Sequence, residues 1–91
     1  MKYKKLPHEL NLAPVREIFG LRIMMTSREQ ILIENHRGIS EYSPEMITVS
    51  GPGGSVTVTG SRLCAEAMNK SQLLIRGQIS SVEFGGGHEI K

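Results

Sequence analysis

The chain has 91 residues, 38% of them hydrophobic and 22% charged, with a net charge of +2. That length fits one domain with a thin core, burying roughly two thirds of its unfolded surface, and excludes a multidomain machine. Lys and Arg are interspersed among nine acidic residues, all Glu, which argues against the concentrated basic face of a nucleic-acid binder.

Met1 to Lys5 is a basic, polar start. Pro7 can open a short helical turn over Leu6–Leu10, with Glu9 near its positive end and Pro14 limiting its length. Val15–Phe19 reads as a second turn, with Val15, Ile18 and Phe19 on one face and Gly20 ending it. From Leu21 onward the signals are those of strands. Leu21–Met25 is β-compatible, and Thr26–Glu29 turns into Ile31–Glu34, where Ile31 and Ile33 alternate with polar or outward positions. Asn35-His36-Arg37-Gly38 has turn chemistry, because Gly accepts positive φ. The pattern therefore predicts a β-hairpin over Ile31–Tyr42.

Ser43-Pro44-Glu45 is a further turn, and Met46–Ser50 alternates with Ile47 and Val49 on one face. Gly51-Pro52-Gly53-Gly54 is an exposed loop. Ser55–Thr59 points Val56 and Val58 inward, and Gly60-Ser61 turns again. Arg62–Met68 is ambiguous between helix and strand. After a turn at Asn69–Ser71, Leu73, Ile75 and Ile79 share a face. Val82 and Phe84 fall on the opposite phase, and a bulge near Ser80–Ser81 would bring both to the core. Runs repeating at about 8–12 residues with short turns indicate an all-β antiparallel meander curled into a small sandwich or barrel. The expected organisation is a loosely ordered 1–20, a β domain over 21–84 and a flexible tail over 85–91.

The sequence offers little chemistry. His8, His36 and His88 lie far apart, without Cys or His at ligand spacing, so neither a metal nor another cofactor is expected. The single Cys64 excludes an intramolecular disulfide, fits a reducing compartment and reads as a small buried hydrophobe rather than a nucleophile. Gly51–Gly54 lacks the Lys-Ser/Thr and following helix of a phosphate cradle. Glu34 and Glu41 could face each other across the hairpin, although solvated charges near Arg37 are the plainer reading. No enzyme is indicated. No run of apolar residues reaches membrane-spanning length, and the N-terminus has no apolar signal core, which points to the cytoplasm.

Several motifs carry a resemblance. Ile33-Glu34-Asn35-His36-Arg37-Gly38-Ile39 is followed by Glu41-Tyr42, then by Gly54-Ser55-Val56-Thr57-Val58-Thr59-Gly60. Ile75-Arg76-Gly77-Gln78-Ile79-Ser80-Ser81-Val82-Glu83-Phe84 closes the series. Over about Leu21–Phe84 the chain resembles the YabP/YqfC family of small sporulation proteins, nearer the YqfC side. Leu21 stands where the family tends to have Pro. The resemblance implies a non-enzymatic protein of spore morphogenesis in the mother cell. It also implies a position beside the forespore membrane, with an integral-membrane sporulation protein as partner and no catalytic residues to carry over.

For Glu34, Asn35, His36, Arg37 and Gly38 a structural turn outweighs the reading as a partner contact. The expected function is a protein–protein interaction or scaffold module. It would pair with a partner, or with its own copies, along an exposed edge at Leu21–Met25 or Val82–Phe84. The alternative is a small β-barrel binding an anionic ligand or nucleic acid, which requires Arg22, Arg28, Arg37, Arg62 and Arg76 to converge.

Overall fold

The computed structural model describes residues 15–85. The turn expected at Leu6–Leu10, the tail after Gly85, and His8 and His88 lie outside them. Seven strands follow one another: β1 Val15–Ile18, β2 Leu21–Ser27, β3 Gln30–Glu34, β4 Ile39–Ser43, β5 Met46–Ser50, β6 Ser55–Met68 and β7 Gln72–Gly85. They form one antiparallel sheet in the order β1-β2-β3-β7-β6-β5-β4, not closed into a barrel. The all-β class matches the sequence reading, and Arg62–Met68 is strand.

Several local expectations fail, two of them before β5. Val15–Phe19 is not a helical turn: β1 pairs with β2 through Ile18↔Leu21, closed by Phe19 and Gly20 at φ 56 and 84. Positive φ at both central residues is the hairpin geometry whose twist matches the strands. Phe19 tolerates that conformation while its ring lies over Gly54, where a Cβ would come within 2.7 Å of it. Nor do β3 and β4 form a hairpin. β3 pairs with β2 and β7, and β4 pairs with β5. Ile31 and Ile33 match Ile75 and Leu73 of β7 in register, so burial of the apolar rows outweighs sequence proximity.

The sheet bends along the β6–β7 hairpin, whose strands have 14 residues each. Ser55–Thr59 pairs with Ser81–Gly85, and Cys64–Met68 pairs with Leu73–Arg76. Between these stretches the register shifts at Thr59/Gly60 and at Ser61/Cys64, and a further shift follows at Ala65/Ala67. The first leaves Ser80 unopposed, the bulge anticipated near Ser80–Ser81. Gly60-Ser61 is therefore not a turn but part of β6.

Bulges kink and twist a strand, and here they turn the sheet into two facing layers. One layer supplies Leu21, Ile23, Ile31, Ile33, Leu73 and Ile75 to the core; the other supplies Ile47, Val49, Val56, Val58 and Leu63. Leu21 packs directly on Gly51, where a Cβ would lie 2.5 Å from its Cγ. Val82 packs against the core, but Phe84 does not reach it and remains 45% exposed.

Candidate functional site

Two features merit description as sites: the Glu34–Gly38 motif and the open side of β7. The motif is a brace between segments distant in sequence. Asn35 takes φ 68, a left-handed conformation that Asn tolerates. Its side-chain amide donates to the Gly20 carbonyl at 2.8 Å, not to its own backbone. The Asn35 and His36 N–H groups both point to the Ser71 carbonyl, at 2.6 and 3.3 Å. The Arg37 N–H donates to Ser50 O at 2.8 Å, and Ser50 N–H returns a bond to Gly38 O at 2.9 Å. One short connection thus ties the β1–β2 turn, the β6–β7 turn and the end of β5.

His36 sits at its centre, 6% exposed. The Gly38 N–H donates to His36 Nδ1 at 2.9 Å, so Nδ1 is the acceptor and the ring proton belongs on Nε2. That proton faces the Asn69 carbonyl at 3.0 Å. Both ring nitrogens are satisfied in a single neutral tautomer. Asn69 in turn accepts the Ser71 and Gln72 N–H groups through Oδ1, at 3.0 and 2.8 Å. Glu34 accepts from Arg22 at 3.0 Å and from Gln72 at 2.9 Å. It does not meet Glu41, which lies on β4 and accepts from Thr48. Arg37 is exposed and makes no side-chain bond among the described residues.

The arginines do not converge. Arg22 pairs with Glu34, and Arg76 with Glu66. Arg62 and Arg76 line one shallow pocket beside Glu29, while Arg28 lines a different groove. Arg37 belongs to the brace at β3–β4. A shared anion site for all five is therefore not present, and the barrel that the alternative needs is open.

Cys64 is exposed, not buried. The shift at Ser61/Cys64 resets the alternation, so Leu63 takes the core position and Cys64 faces out. Its thiol should react stoichiometrically with a disulfide reagent in the native chain, and denaturant should add nothing to the yield. Among the described residues no group of three His, Cys or Glu is placed to hold a metal ion. No described helix is long and apolar enough to cross a membrane.

The second feature is the side of β7 beyond its pairing with β3, which is open among the described residues. Leu21–Met25 is not an edge, since β2 lies between β1 and β3. Val82–Phe84 is one. Gly60 N–H donates to Glu45 O and Gly51 N–H to Gly54 O, which sets the phase of the β5–β6 ladder. Val56 and Val58 accordingly turn their backbone groups toward β5. Their β7 partners, Phe84 and Val82, then point N–H and C=O away from β6, and no strand meets them among the described residues. Beside this edge runs an open groove of about 690 Å³ lined by Met25, Arg28, Ile79, Ser80, Ser81 and Val82. Met25, Ile79 and Val82 are the partly buried rim of the core.

The model of the YabP family matches residues 20–91. The chain belongs to the YabP family. It is also 30% identical, over 63 residues, to the uncharacterised protein YqfC of Bacillus subtilis (strain 168), a match covering 69% of this chain and 68% of that one. No solved structure matches. In this YabP-family chain the matched stretch contains both the brace and the open edge. The sequence reading identified the brace residues but not their contacts, because Gly20, Ser50, Asn69 and Ser71 become neighbours only when the sheet folds over.

Proposed function

We propose that this YabP-family chain is a non-enzymatic binding module in spore morphogenesis, holding a protein partner along the open edge of β7. Family membership suggests a sporulation-associated protein. The observation that carries the binding reading is the Val82 and Phe84 backbone, which no strand meets among the described residues, beside a groove of mixed lining that includes Met25, Ile79 and Val82, since an exposed edge is a template for another strand. The absence of convergent chemistry among the described residues fits the same reading. The proposed setting is the mother-cell cytoplasm at the forespore membrane, with an integral-membrane sporulation protein as the partner. Arg37, displayed at the far side of the brace, is assigned to a secondary contact with it.

Val82→Pro tests this. The Val82 N–H faces away from β6, so proline removes a donor to the partner and no ladder bond, a substitution that edge strands accept. The variant should melt within a few degrees of the unchanged chain. In a spore-forming host lacking the native gene it should fail to restore heat-resistant spores, and should retain no crosslinked partner. Full restoration by a folded Val82→Pro chain would rule the edge out.

A further inference from the structure

The open edge also carries information about what pairs with it, and this step rests on the binding reading above. We infer that the occupant is an extended segment of a different protein, added antiparallel to β7, with the local pattern apolar–basic–apolar opposite Phe84, Glu83 and Val82.

The pattern follows from the two faces of the strand. Phe84 and Val82 match Val56 and Val58 of β6 in register, on the core side. Val82 packs on the core rim, Phe84 is 45% exposed, and the apolar part of the adjoining groove, Met25, Ile79 and Val82, continues that side beside Arg28, Ser80 and Ser81. Residues set against them would complete an apolar row that the described residues leave unfinished. Glu83 matches Thr57, and Thr57 shares a hydrogen bond with Thr48 across the outer face at 3.0 Å. Glu83 is thus the charged terminus of a polar row, exposed and without an ion pair among the described residues. A Lys or Arg directly opposite is the residue that such a row favours, because facing opposite charges stabilise a pair of strands and like charges oppose it.

The same charge argues against a second copy of this chain. Only residues with outward backbone groups can pair, so two β7 edges meet Val82 to Phe84 in both directions. That register places Glu83 of each copy against Glu83 of the other, a like-charge pair at the centre of the interface. Shifting the axis to Val82 sets Phe84 against Ser80 and forfeits the apolar contact. Antiparallel addition is preferred because its hydrogen bonds are perpendicular to the strands and the more stable of the two arrangements.

The probes are two fluorescent peptides, Thr-Thr-Val-Lys-Val-Thr-Thr and its Val-Glu-Val counterpart, titrated against the full chain. The lysine peptide should bind about five- to twentyfold more tightly, the range expected when one cross-strand charge pair changes sign. Glu83→Lys, an exposed position, should keep the fold and invert that preference. Amide signals of Val82 and Phe84 should shift with peptide, while those of Ile31 and Ile33 should not. Equal affinity of both peptides for both chains, or no binding at all, would overturn the inference. If Val82→Pro still abolished partner retention in cells, the binding reading would survive that loss. Light scattering separates the remaining case: a concentration-dependent doubling of mass, removed by Val82→Pro, would assign the edge to a second copy and overturn the inference as well.

Discussion

Gly60→Ala is expected to destabilise the chain by about 3 kcal/mol or more, the upper end of the range for forcing an added methyl into a packed site. A Cβ at Gly60 would stand 1.9 Å from the Gln78 carbonyl oxygen, 2.9 Å from its carbon and 3.1 Å from the Ile79 Cα. All three are backbone atoms of β7, so no side chain can rotate away. Relief requires β6 and β7 to separate where Ser80 bulges and the sheet bends. The Gly60 N–H bond to Glu45 O, at 3.0 Å, resists that movement from the other side. For a domain of this size the melting temperature should fall on the order of 15 °C. Gly53→Ala is the control. Its Cβ would meet nothing nearer than the Phe19 backbone at 3.6 Å, and its effect should stay within about 0.5 kcal/mol. Equal melting of the two variants would mean that the bend does not depend on close approach at Gly60.

The same residue shows what can be read from the sequence and what cannot. Strand content was legible because Ile47/Val49, Val56/Val58 and Leu73/Ile75 alternate strictly, and one face of each pair is buried. The bulge at Ser80 was legible too, since Val82 is out of phase with Ile79. Pairing was not. Local pattern says that a segment is a strand, but not which strand it joins, so Asn35–Gly38 read as a hairpin turn between neighbours. In the fold it crosses from one layer to the other. Gly60 read as a turn for a related reason: glycine marks both reversals and close approaches, and only the opposing backbone distinguishes them. Cys64 was misplaced by the shift at Ser61/Cys64, where one additional residue exchanges inward and outward faces. Phe19 read as helical because Val15, Ile18 and Phe19 fall on one face at helical spacing, and the residue its ring packs on in the fold, Gly54, is remote in sequence.

His36→Ala should have the second large effect, destabilising by about 2–5 kcal/mol, and it tests whether the brace holds the layers together. The ring is buried and answers one donor and one acceptor, the Gly38 N–H and the Asn69 C=O. Truncation leaves both backbone groups unmatched, at about 1–3 kcal/mol each where water does not reach them. Arg37→Ala, one residue away and exposed, should change stability by less than about 0.5 kcal/mol. Amide exchange gives the more specific readout. In His36→Ala the Gly38 N–H should lose protection, and the β6–β7 turn at Asn69–Ser71 should loosen with it. His36→Asn places an oxygen near the Nδ1 position, and an Asx-type bond to the residue two positions on is within its reach. It should therefore restore protection at Gly38 but not the bond to Asn69, and fall between the two in stability. A His36→Ala chain that melts with the unchanged protein and keeps Gly38 slow to exchange would refute the brace. In that case the burial of His36 would be incidental, and the motif would have to be explained by what it presents to a partner.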